Sequence, residues 1–158
     1  MENHPIPPVY DKNSKILILG SFPSVKSREI GFYYGHPQNR FWKVLAELTR
    51  SECPQTIEEK REFLIHNHIA VWDVIKSCDI IGSSDSSIKN VSVNDIKNII
   101  ENSDIKAVFT NGGTAHKLYK KYMDCDYEAV KLPSTSPANA AYSLDKLINE
   151  WKVILDYL

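Results

Sequence analysis

The chain has 158 residues, 42% of them apolar and 25% charged, with a formal net charge of −1. This is enough for one domain (1–158) with a core that needs no staples. The near-neutral balance excludes a generic polyanion binder, and no stretch is long enough to span a bilayer. Charge is uneven along the chain. Residues 1–50 hold seven Lys/Arg and four Asp/Glu, a net of +3, whereas residues 51–104 hold five and ten, a net of −5. The first third is therefore the part able to face phosphates. Cys53, Cys78 and Cys125 are odd in number and lack C-x-x-C spacing, so free thiols in a reducing cytoplasm are expected, with no disulfide framework and no iron–sulfur or other metal site.

In chain order, Met1 to Asn13 reads as a Pro-rich lead-in. Lys15–Leu19 is an apolar run ended by Gly20-Ser21-Phe22-Pro23, the pattern of a buried strand entering a tight turn. Arg40–Leu48 is a predicted helix with Phe41, Val44, Leu45 and Leu48 on one face. Thr56-Ile57-Glu58-Glu59 is a capping box opening a helix to about His66. Ile69–Trp72 is a second strand and Asp79–Asn90 a polar loop. Ser92 with Asp95 is expected to cap a helix through Ile99-Ile100. Ile105–Phe109, Thr114–Tyr122 and Tyr127–Leu132 follow as strand, helix and strand. Leu144, Leu147, Ile148, Trp151, Ile154, Leu155 and Leu158 form one stripe of a last helix, with Trp151 in the core.

Four strands separated by helices predict an α/β fold with a parallel sheet covered on both faces, and such sheets bind ligands beyond the carboxyl ends of their strands. Polar punctuation falls at all four ends: the Gly20 turn, Asp73, Asn111-Gly112-Gly113, and Pro133-Ser134-Thr135-Ser136-Pro137-Ala138-Asn139.

The segment Gly31-Phe32-Tyr33-Tyr34-Gly35-His36-Pro37-Gln38-Asn39-Arg40-Phe41-Trp42 mixes aromatics, an imidazole, a carboxamide and a guanidinium around turn formers. A pocket that stacks a flat polar ring and reads its edge selects such side chains. Tyr33 or Tyr34 then serves as a stacking platform rather than plain packing. His36 is either a turn residue or a donor to a leaving base or phosphate. Asn39 is either a helix N-cap or a holder of water. Asp73 either caps a turn or accepts a ring N–H. Ser134-Thr135-Ser136 is either a hydroxyl-rich turn or a phosphate clasp. His66 and His68 lack a third ligand for a metal.

Together these residues resemble the uracil-DNA glycosylase superfamily. Gly20-Ser21-Phe22-Pro23-Ser24 is similar to its first motif, Gly-x-Asp/Asn-Pro. Gly35-His36-Pro37-Gln38-Asn39-Arg40-Phe41-Trp42-Lys43 resembles the following segment of the mismatch-specific uracil/thymine branch, and Ser134-Thr135-Ser136-Pro137-Ala138-Asn139 stands in place of the second motif. Two departures stand out: Phe22 replaces the water-activating Asp or Asn, and Ala138 replaces the intercalating Leu. The deoxyinosine (hypoxanthine) DNA glycosylase branch shares both.

The resemblance implies a three-layer α/β/α sandwich with a mainly parallel four-stranded sheet. It implies a monofunctional DNA glycosylase that flips a deaminated base, hypoxanthine above all, out of double-stranded DNA and hydrolyses its N-glycosidic bond with no cofactor or metal. Asn39 would be the catalytic residue, positioning water. Tyr34 would stack on the flipped ring with Phe22 opposite; His36, Asn111 or a backbone N–H would donate to the leaving base, and Asp73 would accept its N1–H. Ser134, Thr135, Ser136, Ala138 and Asn139 would meet DNA. A cytoplasmic monomer is expected. The competing readings are a uracil or G·U/G·T mismatch glycosylase, against which Phe22 argues, and a non-catalytic DNA- or nucleotide-binding module, against which Asn39 argues.

Overall fold

In a computed structural model that describes residues 1–123 and 127–158, the apolar run after Lys15 is β2 (Ile16–Gly20), and every one of its residues is buried. It lies inside a four-stranded sheet of order β3-β2-β6-β7, completed by β3 (Ile69–Asp73), β6 (Ala107–Asn111) and β7 (Ala129–Leu132). All three pairings are parallel. The expected α/β architecture is therefore present.

Successive side chains of a strand point to opposite faces, and the two faces of this sheet bury different helices. Ile16, Ile18, Ile69, Val71 and Phe109 pack with α2 (Phe41–Thr49), α3 (Ile57–His66) and α6 (Leu144–Trp151). Leu17, Leu19, Ala70 and Val108 pack instead with Ile96, Ile99 and Ile100 of α4 (Ile96–Glu101) and Tyr119 of α5 (Gly113–Tyr122). Each fully buried Leu or Ile of β2 contributes roughly 1.5–3 kcal/mol of transfer free energy, so the strand is the centre of both cores.

Three expectations are corrected. Met1 to Asn13 is no simple lead-in: β1 (Glu2–Asn3) pairs antiparallel with β4 (Ile75–Asp79), Val9 bridges to Val71, and Ile6 and Val9 are core residues. Asp79–Asn90 is only partly a loop, because β4 and β5 (Lys89–Val93) pair antiparallel at its edges and enclose a short 3-10 turn over Asp85–Ser87. This ribbon lies half in solvent, so its strands carry no clean apolar alternation. Ser92 belongs to β5, and Asp95 alone caps α4, its side chain accepting from the Asn98 amide at 3.2 Å.

The last helix also departs in detail. After Trp151 it tightens into a 3-10 segment, Lys152–Tyr157, and the changed pitch turns Leu155 outward while Trp151 and Ile154 stay buried. A short helix, α1 (Val25–Ile30), follows the β2 turn. Cys53 and Cys78 are free thiols, and Cys125 lies outside the described residues. No helix among the described residues is long and apolar enough to cross a membrane.

The capping box at α3 forms in full: Thr56 Oγ1 accepts from the Glu59 amide at 3.1 Å, and Glu59 Oε1 accepts from the Thr56 amide at 3.2 Å and the Gln55 amide at 3.0 Å. Those amides hold the Glu59 carboxyl below its ordinary pKa. Thr56→Ala should lower stability by about 1 kcal/mol. Glu59's share is complete above the ordinary Glu value and fades as pH falls through its depressed folded value, so Glu59→Gln should flatten that part of the acid-unfolding curve. Denaturant titrations at several pH values check both.

Candidate active site

The parallel register sets the strand ends level. Gly20 lies opposite Asp73, and Asn111 opposite Leu132, so the turns that follow meet on one rim. Two glycines there have steric reasons. A Cβ on Gly20 would stand 2.4 Å from Asp73 Oδ1 and 3.1 Å from the Tyr34 hydroxyl. Gly112, at φ +99°, opens α5, and a Cβ on it would meet Ser134 Cβ at 3.1 Å.

Most of the aromatic segment is structural. Phe32, Tyr33, Phe41 and Trp42 are buried in the core. The Tyr33 hydroxyl is shared between the carbonyls of Pro7 at 2.9 Å and Ile6 at 3.1 Å, so it holds the N-terminal arm rather than a ligand. Tyr34 has a left-handed backbone, φ 51°, and the Trp42 indole N–H donates to its carbonyl and to that of Tyr33. Its ring stacks on Phe41 at 3.9 Å between centroids. Its hydroxyl is buried and makes no hydrogen bond of ordinary geometry among the described residues; burial, reinforced by the charge of Asp73 and opposed by the nearby Asn111 side chain, raises its pKa.

Asn39 ends this segment. Its Oδ1 accepts from the Phe41 amide at 2.9 Å, so the carboxamide does serve the start of α2. That bond uses one lone pair and fixes the plane of the group. The second lone pair and Nδ2 remain for another ligand. His36 is not brought to the same place: its Nδ1 accepts from the Gln38 amide at 3.1 Å in a solvent-facing turn.

Arg40, which the sequence analysis assigned no role in the site, joins this segment to the loop after β7. Its guanidinium donates to the carbonyls of Ser136 at 2.8 Å, Asn139 at 3.1 Å and Thr135 at 3.4 Å, and also to that of Tyr142. Asn111 holds the same loop from the opposite side. Its Oδ1 accepts from the Thr135 amide at 3.1 Å and its Nδ2 donates to Thr135 Oγ1 at 3.0 Å. Asn111 thus braces a buried Thr135 instead of presenting a free donor pair. The Trp151 indole N–H adds a bond to the Pro133 carbonyl at 2.9 Å. Within the loop, Ser134 Oγ accepts from the Ser136 amide, Ser136 Oγ accepts from the Ala138 amide, and Asn139 Nδ2 donates to the Ser134 carbonyl. The two serine hydroxyl protons are left for an acceptor beyond the loop.

Asp73 is 3% exposed. His4, from the N-terminal arm, donates from Nε2 to Asp73 Oδ2 at 2.7 Å. Phe22 packs edge-on against the His4 ring, with the Arg28 guanidinium over its own face at 5.4 Å. A second carboxyl comes from the β4–β5 connection. Asp85 Oδ1 accepts from the Ser21 hydroxyl at 3.2 Å. Although the residue as a whole is exposed, the crowding of its carboxyl raises its pKa, the Ser21 and Thr114 hydroxyls oppose this, and the charge of Asp73 adds to it.

These groups enclose a cavity of about 150 Å³. Phe22, Tyr34, Asn39, Asp73, Asn111 and the Ser134–Ser136 turn all line it, together with Asp85. The volume is well below that of drug-sized pockets, which run from ~300 Å³ upward, and suits one small planar ring. A wider groove of about 580 Å³ adjoins it along the second loop, lined by Ala138, Asn139, Tyr142, Lys131 and Asp85 among others. Sequence reasoning named half of the residues that line the small cavity, with Ser134, Thr135 and Ser136 expected to meet DNA instead, and it missed Asp85 in the lining and His4 and Arg40 behind it. The adjacency of Arg40 to Asn39 was a usable signal; His4 and Asp85 carried none, because only the fold brings them to the rim. Among the described residues no group of three His, Cys, Asp or Glu side chains is placed to hold a metal ion.

Comparison with known proteins agrees with this architecture. The model of the uracil DNA glycosylase superfamily matches residues 7–158. A hypoxanthine DNA glycosylase of Methanosarcina acetivorans is 35% identical over 150 residues, 94% of each chain. One of Methanosarcina barkeri is 35% identical over 143 residues, 88% of this chain and 89% of its own. The solution NMR structure of a candidate uracil DNA glycosylase from Methanosarcina acetivorans superposes with a TM-score of 0.81 at 34% identity, covering 94% of this chain and 93% of that one. The chain therefore belongs to the uracil DNA glycosylase superfamily, and with it to the DNA glycosylases, hydrolases acting on N-glycosyl bonds.

Proposed function

We propose that this chain excises hypoxanthine from double-stranded DNA and leaves an abasic site, with Asn39 positioning the attacking water and Asp73 reading the base. The observation that carries the reading is the one small cavity bordered at once by Asn39, Asp73, Phe22 and Tyr34. The printed names of the two Methanosarcina relatives support the choice of base.

A base within a duplex is out of reach, so its nucleotide must rotate into the cavity at a cost of roughly a few kcal/mol, least for a mispaired base. Hypoxanthine opposite thymine, the product of adenine deamination, is mispaired. Phe22 and Tyr34 supply apolar wall for the flat ring. Hypoxanthine presents an N1–H donor where adenine has a bare ring nitrogen. A carboxylate oxygen of Asp73 accepts that N–H and repels the lone pair of adenine. The Tyr34 hydroxyl beside it stays protonated and offers a donor to a neighbouring carbonyl.

In the reaction the bond between sugar and base breaks, and its electron pair leaves with the base. The sugar carbon gains positive character and bonds to the water oxygen. Asn39 Oδ1, its orientation set by the Phe41 amide, accepts a hydrogen bond from the water through its free lone pair and turns its dipole towards the cationic sugar, and the proton that the water loses ends on the departing base, which leaves as neutral hypoxanthine. The Ser134 and Ser136 hydroxyls and the groove along Lys131 face the phosphates on either side.

Single-turnover assays on duplexes carrying hypoxanthine, uracil, xanthine or mismatched thymine test the assignment. Hypoxanthine should be released fastest; uracil as the preferred base would replace this reading by the mismatch-uracil one. Asn39→Ala should lose most of the chemical step while still binding the duplex. Because Asn39, one residue before the N-cap Arg40, also holds the Phe41 amide, its melting temperature must be measured alongside, and a variant that melts lower but cleaves at the wild-type rate would leave only that structural role.

Asp73→Ala should slow hypoxanthine release about ten- to a hundredfold, the kinetic equivalent of one lost charged hydrogen bond. Asp73→Asn should be milder and should narrow the gap to adenine, since a rotated amide can donate to a bare ring nitrogen. A loss of stability with an unaltered hypoxanthine-to-adenine ratio would retire the base-reading role.

A further inference from the structure

We propose that His4 is a positioning residue for base selection: the N-terminal arm carries it into the rim, where it holds Asp73 so that one carboxylate oxygen faces the base. This rests on the base-reading role of Asp73 and adds a residue to it.

Four observations support it. First, the contact is short and dry: Nε2 to Oδ2 is 2.7 Å, and the two side chains are 3% and 5% exposed. Second, the tautomer is set by the chain itself. Nδ1 accepts from the Ile6 amide at 3.3 Å, which places the ring proton on Nε2, aimed at Asp73. A neutral imidazole in this tautomer satisfies Oδ2 without adding a competing charge. Third, Oδ1 is the oxygen nearest Gly20, and the residue there has no side chain; any Cβ would collide with it at 2.4 Å. The carboxylate is thus held at one end and given space at the other. Fourth, the His4 ring is locked from both sides, edge-on to Phe22 at 5.9 Å and tilted against Tyr33 at 6.0 Å. Phe22 is the cavity wall, and Tyr33 holds the arm through the Ile6 and Pro7 carbonyls.

The arm has anchors of its own, since β1 pairs with β4 and both Ile6 and Val9 are core residues. Docking of the arm therefore does not need the imidazole, and a strap that required only packing would be served by any residue of similar size. The imidazole adds a donor with a fixed direction at the Asp73 carboxylate. Without it Asp73 is free to rotate, and Oδ2 loses its only donor among the described residues.

The test is a double-mutant cycle on single-turnover release of hypoxanthine, using the full chain. His4→Ala should slow release about tenfold, and His4→Gln, whose amide places a donor near the position of Nε2, should recover to within about threefold of wild type. The double variant His4→Ala with Asp73→Ala should be no slower than Asp73→Ala alone, because His4 acts only through that carboxylate. Melting temperatures accompany each variant, and a purely structural His4 would lower them while its kinetic loss multiplied with that of Asp73→Ala. Multiplying losses, or a wild-type rate in His4→Ala, would overturn the inference and leave Asp73's role standing. A wild-type rate in Asp73→Ala would overturn both.

Discussion

The guanidinium of Arg40 is the constraint on which the rest of the site depends. Two of the loops that line the cavity, those of Asn39 and of Ser134–Ser136, are separated by almost a hundred residues, and neither is held by strand pairing. Arg40 is the junction: its backbone amide and its side chain both reach the second loop, spreading over the carbonyls of Thr135, Ser136, Asn139 and Tyr142. A planar fork with five donors can satisfy several divergent carbonyls at once, which a lysine ammonium cannot do with the same fixed geometry. Leaving such carbonyls unpaired costs about 1–3 kcal/mol for each one that is buried. Asn39, immediately before it in sequence, inherits its place from this clamp.

A small cavity follows from how crowded the rim is. Asn111 and Thr135 lock each other, Trp151 ties down Pro133, and Gly20 and Gly112 let the backbones approach more closely than any side chain would allow. In such a place a polar group either has a partner or is aimed at one. Asp73 has His4 at one oxygen. The Tyr34 hydroxyl makes no hydrogen bond of ordinary geometry among the described residues, and burial together with the neighbouring carboxylate keeps its proton on.

The aromatic segment shows how one stretch divides its labour. Phe32, Phe41 and Trp42 are spent on the core, where they interlock edge to face and stacked, Tyr33 is buried with them while touching the cavity wall, and Tyr34 and Asn39 line the cavity beside it. The aromatics of this segment are mostly the foundation beneath the cavity. His36 illustrates the reverse: a residue chemically suited to the site that its turn directs to solvent.

What the amino-acid sequence determined by itself was the parallel sheet and its helices, because an apolar strand buried on both faces and a 3.6-residue stripe are properties of neighbours along the chain. It also determined that the polar turns share one rim, since parallel strands must end on the same side. The motif order further marked Asn39, Asp73 and the Ser134–Ser136 turn. Tertiary structure alone decided the rest. The antiparallel ribbon of β1, β4 and β5 has too little buried apolar surface to leave a periodic trace. The His4 pairing with Asp73 spans 69 residues and has no local signature. Whether a histidine, an asparagine or an arginine serves a ligand or the backbone depends on which partner lies within about 3 Å, and that distance exists only once the chain has closed on itself.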